Sequence, residues 1–153
     1  MTSFRQVRRS LFCAAAVAVA AIAVPGCGSM SSSNVVTWAT SLSGANEVPP
    51  VDTGATGTLE VKLNKDTGGL SWTLSYTGLS GPATAAHFHG PAVLGQNAGV
   101  VVPFPGPINS GMQGMATITP AQMADLLAGK WYANVHSAAH PGGEIRGQLS
   151  PRM

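Results

Sequence analysis

TGTLEVKLNKDTGGLSWTLSYT, residues 56–77, is the stretch on which the fold turns. Leu59, Val61 and Leu63 alternate with Thr58, Glu60 and Lys62, and Leu70, Trp72, Leu74 and Tyr76 alternate with Ser71, Thr73 and Ser75. A period of two places each apolar set on one face of an extended chain. Asn64 to Gly69 between the runs is rich in turn formers, so the stretch predicts a β-hairpin. Outward from it, the same alternation predicts strands at 35–43, 83–89, 98–102, 112–118, 131–136 and 143–149. Short strands at such spacing predict an all-β fold, a Greek-key antiparallel β-sandwich or barrel over about 35–150. Leu59, Val61, Trp72, Leu74, Phe88 and Val135 are its candidate core. One short helix is expected near 120–128, with Thr119 as N-cap, Pro120 at the first helical position and Gly129 just past the end. Its apolar stripe is Met123, Leu126 and Leu127. The proline- and glycine-rich 90–110 reads as a long ordered loop over one end.

The amino terminus carries an address rather than structure. Arg5, Arg8 and Arg9 precede an uncharged apolar run from Leu11 to Val24. That run is about 14 residues, short of the roughly 20 needed to span a bilayer as a helix. Residues 1–26 are therefore expected to be a signal peptide. Val24-Pro25-Gly26-Cys27 resembles a bacterial lipobox, which makes Cys27 the candidate lipidation site and the membrane a partner through the lipid anchor. Residues 27–34, with Ser31-Ser32-Ser33, read as a flexible tether, and 35–153 as the folded domain. Gly28, where an aspartate would signal inner-membrane retention, points by resemblance to an outer-membrane lipoprotein facing the periplasm or the cell surface. Without the leader, Lys62, Lys65, Lys130, Arg146 and Arg152 stand against Glu47, Asp52, Glu60, Asp66, Asp125 and Glu144, a net charge of about −1. Nothing in that balance suggests nucleic-acid binding. Cys13 departs with the leader and Cys27 is committed to lipid, so no disulfide is available and stability must come from packing.

All four histidines fall in two segments, AHFHGPA at 86–92 and NVHSAAHPGGEIRGQL at 134–149. In 83–89, Thr84, Ala86 and Phe88 take the core parity, which turns His87 and His89 to the opposite face. In 131–136, Trp131, Ala133 and Val135 are apolar, leaving Tyr132, Asn134 and His136 on the other side. Three histidines are thus expected on one exposed patch if the two strands are neighbours, close enough to share a metal ion at roughly 2.0–2.1 Å each. Three imidazoles suit a copper ion, or less readily a zinc ion. His140 lies in a turn whose direction alternation cannot give, and is a candidate fourth ligand. Glu144 and Arg146 either pair with each other, support a ligating imidazole from behind, or serve local hydrogen bonding and fold closure. The other readings of the histidines are structural hydrogen bonding and recognition of a ligand or partner.

LSGANEVPPVDTGATG (42–57), LSYTGLSG (74–81), AHFHGPA (86–92), LLAGKWYANVH (126–136) and HPGGEIRGQL (140–149) together resemble the CHRD domain, first named in chordin. The resemblance implies an extracellular β-module and no particular chemistry. The histidine pattern is also similar to the copper side of Cu/Zn superoxide dismutase. That similarity implies copper-ligand roles for His87, His89 and His136, with His140 as a further candidate. The chain departs from that family in lacking a bridging histidine, a zinc-site cluster and a disulfide, so a dismutase-like redox activity is the least supported reading. No Ser-His-Asp pattern, phosphate loop or cysteine nucleophile is present, and no catalytic residue is assigned. The sequence favours a non-enzymatic, membrane-tethered, extracytoplasmic metal-binding module of the cell envelope. Its alternative is a metal-free adhesion or interaction module.

Overall fold

The computed structural model describes residues 34–150; the expected signal peptide, Cys27 and most of the expected tether lie outside the described residues. The hairpin of 56–77 forms as strands β2 (Thr56–Asn64) and β3 (Gly69–Thr77). Leu59 lies opposite Leu74, Val61 opposite Trp72 and Leu63 opposite Leu70, so the two apolar faces coincide. The turn is held by the Asn64 side chain, whose Oδ1 accepts from the amides of Asp66 (2.9 Å) and Thr67 (3.2 Å). The remaining strands are β1 (Val35–Ser43), β4 (Ala83–His89), β5 (Val100–Pro103), β6 (Met112–Thr117), β7 (Trp131–Ser137) and β8 (Ile145–Leu149).

All pairings are antiparallel, in one sheet of order β5-β4-β7-β8-β1-β2-β3-β6. The connections β3 to β4, β5 to β6 and β6 to β7 pass between the two ends of this sheet, as a Greek key requires. The sheet curls until those ends face each other. Trp72 on β3 meets Phe88 on β4 edge-on at 5.2 Å, and Phe104, just past β5, at 4.6 Å. The result is a nearly closed barrel. Its core holds Trp38, Leu42, Leu59, Val61, Leu63, Leu70, Trp72, Leu74, Phe88, Val135, Ile145 and Leu149, every one of them essentially excluded from solvent.

Helix α1 (Pro120–Leu127) starts with a full capping box. Thr119 Oγ1 accepts from the Gln122 amide and Gln122 Oε1 accepts from the Thr119 amide. It ends before Gly129, whose φ of 72° favours glycine. Leu126 is buried and Met123 packs against the core, but Leu127 points to solvent. At 3.6 residues per turn Leu127 sits about 100° round the helix from Leu126, too far for both to face the sheet. Among the described residues no helix is long and apolar enough to cross a membrane.

Thr84, expected in the core, is exposed. Ala83 pairs with Ser137 and Ala85 with His136, so Thr84 is the extra residue of a β-bulge, and parity resets after it. A second irregularity ends the strand, where Phe88 pairs with Val102 but His89 with Val100. Between the two bulges, over residues 85–88, the alternation is regular. Replacing Trp72 by alanine empties the place where the two ends of the sheet touch. Urea unfolding of Trp72→Ala is expected to show a loss of roughly 3–5 kcal/mol, the usual cost of truncating a buried large aromatic.

Candidate metal centre

Strands β4 and β7 are hydrogen-bonded neighbours with His87 opposite Asn134, His89 opposite Tyr132 and Ala85 opposite His136. Phe88, Ala133 and Val135 turn into the barrel. His87, His89, Tyr132, Asn134 and His136 consequently share the outer face.

That face is not the exposed patch expected from alternation. His89 and His136 are each only 8% exposed, Tyr132 and Asn134 3%, and His87 alone is half-buried. Two loops cover it. The loop after β4 is drawn down by Arg146, which donates to Gln96 O (2.6 Å) and Asn97 Oδ1 (2.8 Å), and by the Ala98 amide on the Tyr132 hydroxyl (3.2 Å). The turn after β7 folds back so that Pro141 O and Gly142 O meet His136 and Asn134. Buried imidazoles need partners, and main-chain carbonyls supply them.

The Pro141 carbonyl also sets a tautomer. His136 Nδ1–H donates to Pro141 O at 2.9 Å, which leaves its Nε2 as a bare lone pair. His89 sits between two oxygen acceptors, Ala98 O at 3.0 Å from Nδ1 and Asn134 Oδ1 at 3.0 Å from Nε2, and a neutral ring can donate to only one of them. His87 Nδ1 lies 3.0 Å from His136 Nε2 and, facing a lone pair, must donate to it in the metal-free protein. One ligand atom from each of His87, His89 and His136 can be chosen so that all lie within 4.8 Å of one another. Displacing the shared proton and drawing the rings together would seat one ion at ordinary imidazole bond lengths, about 2.0–2.1 Å.

Burial lowers the His87 and His136 pKa values, and neighbouring imidazoles lower them further. For His87 the next causes are His136 and then His89. For His136 the bond to Pro141 opposes the shift and His89 adds to it. Neutral rings are what a metal needs.

A family model for the CHRD domain matches residues 38–149, from Trp38 in β1 to Leu149 in β8. The chain belongs to the CHRD family. Both histidine segments lie inside the match. Comparisons with curated proteins and with solved structures each return no match.

His140 of this CHRD domain is outside the histidine group. It sits in the turn, its amide donating to Ser137 O (3.2 Å) and its carbonyl accepting from Gly143. Glu144 neither pairs with Arg146 nor reaches an imidazole. Its carboxylate accepts from Thr53 (3.0 Å), the Ser80 amide (2.9 Å), the Ser80 hydroxyl (2.8 Å) and Ser137, closing the base of the turn. Burial raises this carboxyl, but the hydrogen bonds from Ser137, Ser80 and Thr53 outweigh it and hold it below its ordinary range. Arg146 reaches the site through an aromatic ring instead. Its guanidinium lies 3.4 Å from the centre of Tyr132, and Tyr132 stacks on His89 at 4.7 Å with the planes 2° apart. Because β7 lies between β4 and β8, this stack braces His89 from the side.

Two contributors had no assigned role in the sequence. Asn134 shares the parity of His136, which was the signal available. Glu47 comes from the segment after β1, with no local pattern to mark it. It is buried behind Asn134 and Gly143, and burial lifts its pKa to about 7 against the lowering influence of Arg146, Asn134 and Val48.

These shifts oppose each other in pH. His87 and His136 titrate below their unfolded values, so their contribution is complete above about 6.5 and is lost as pH falls. Glu47 titrates above its unfolded value, so its contribution is complete below about 4.5 and is lost as pH rises through about 7. Glu47→Gln in the metal-free protein is therefore expected to be more stable than wild type at pH 8, by at most about 3 kcal/mol, and little different at pH 4. Denaturant unfolding of the variant should show stability rising steadily from pH 5 to 7, where wild type is flatter.

Proposed function

We propose that this CHRD domain binds a transition metal in the cell envelope, copper in preference to zinc, through His87, His89 and His136. The carrying observation is that three imidazoles offer nitrogens within 4.8 Å, and that His89 and His136 each hold Nδ1 at hydrogen-bond distance from a main-chain carbonyl. Copper(II) stands above zinc in affinity for nitrogen donors. The half-exposed His87 is the side from which an ion would enter. Among the described residues no acid or cysteine joins the group, which suits a storage or carrier role better than acid–base catalysis.

Anaerobic titration of the purified protein with copper and with zinc is expected to show one site, tighter for copper. His87→Ala and His136→Ala should each weaken it by at least about 100-fold, beyond the 10–100-fold typical of losing a supporting residue. Binding should fall away below about pH 6 as the rings protonate. Uptake unchanged in both variants would end the proposal.

The leader supports a membrane-tethered, extracytoplasmic location, with lipidated Cys27 as the first residue of the mature chain. Cys27→Ala is expected to release the domain in soluble form, and intact-mass measurement of the wild-type protein should find the acyl groups. A mature start elsewhere with no acyl mass would rule the anchor out.

A further inference from the structure

The side chain of Asn134 presents its oxygen, not its nitrogen, to the histidines. Asn134 Oδ1 lies 3.0 Å from His89 Nε2. His89 Nδ1 lies 3.0 Å from Ala98 O, which also can only accept, so the single proton of a neutral ring leaves one of the two contacts acceptor against acceptor. With the proton on Nδ1, as binding of an ion through Nε2 requires, Nε2 and Asn134 Oδ1 are two acceptors at hydrogen-bond distance in a site almost closed to water. Reversing the amide does not relieve this. Asn134 Nδ2 faces Gly142 O at 3.4 Å, and a reversed amide would set its oxygen against that carbonyl. Gly143 keeps that arrangement possible. Its φ is 126°, and a Cβ there would strike both Glu47 Oε1 and Asn134 Nδ2.

An acceptor pair held together from behind is satisfied only by a cation between or beside it, either a proton or a metal ion. Asn134 also lies directly across the β4–β7 ladder from His87 and two residues before His136, on the face that carries all three imidazoles. Resting on the metal-binding reading above, we infer that Asn134 Oδ1 is a fourth protein donor to the same ion, so that the centre is three imidazoles and one amide oxygen. Its lone pairs, like those of His89 Nε2 and His136 Nε2, are aimed by hydrogen bonds made on the far side of the group. Four protein donors make a closed site of the kind that retains its ion.

Cobalt(II) and copper(II) are the probes, with the full chain as wild type, Asn134→Leu and Asn134→Asp. Asn134→Leu keeps the bulk and removes the donor. It is expected to weaken both ions by about 10–100-fold. A water should then take the vacant position, and its ionisation near neutral pH should appear in the cobalt spectrum, which in wild type stays constant from pH 7 to 9. Asn134→Asp should restore binding to wild-type strength or better, because it keeps an oxygen donor and adds charge. Pulsed EPR of copper-loaded wild type carrying ¹³C-asparagine should show a carbon coupling, and this needs no variant to fold. Absence of that coupling, or an Asn134→Leu protein that binds as tightly as wild type with the wild-type spectrum, overturns the fourth donor and leaves the three-histidine site standing. A wild-type protein that takes up neither ion overturns the metal reading itself.

Discussion

The register between β4 and β7 is the constraint on which the rest depends. His87 opposite Asn134 and His89 opposite Tyr132 fix at once which residues fill the barrel and which form its outer face. A slip by one residue would send the histidines into the core and Phe88, Ala133 and Val135 into the polar site, at several kcal/mol for each misplaced side chain. Core packing is therefore what holds the register. Phe88 touches Trp72, Phe104 and Trp131, so the ring that anchors the strand to the core lies between the two histidines it orients. The inner and outer faces are one structural decision.

The outer face is unusual for a barrel because it is buried. Every residue of β7 is withdrawn from solvent, with Asn134 and His136 among them. Burial of so many polar groups is tolerable because each loop that covers them brings its own acceptors or donors. Arg146 holds the first loop through Gln96 and Asn97. Glu144 holds the base of the second through Ser137, and ties it to Ser80 and Thr53. The two charged residues of the GGEIRG segment thus act as fasteners for the lids, not as a pair with each other. The lids in turn deliver the carbonyls of Ala98 and Pro141, the first against His89 Nδ1 and the second leaving His136 Nε2 as the free nitrogen of that ring. Fold closure and donor orientation are served by the same hydrogen bonds.

Much of this was legible in the chain. The hairpin, the strand positions, the capped helix and the CHRD family all follow from alternation, turn residues and ordered motifs. So did the grouping of His87, His89 and His136, because parity needs only a core residue on either side of the question and Phe88 and Val135 supplied it. Where local pattern failed, the cause can be named. Thr84 lost its core parity to a bulge, and Leu127 lost its contact to the pitch of a two-turn helix. His140 sits in a turn, where no period operates, and it lies outside the group.

By itself, then, the sequence determined which side chains lie on the same side of each strand, since a two-residue repeat is a local property of the extended backbone. It did not decide how deep that side would be. Burial of the histidines came from the loops after β4 and β7 folding back over them, and Glu47 arrived behind Asn134 from the segment after β1. The lowered pKa values of His87 and His136 are set by exclusion of water, and the donating nitrogen of His136 and the direction of the Asn134 amide by the carbonyls of Pro141 and Gly142. Those are properties of three-dimensional neighbourhood, and only tertiary structure could settle them.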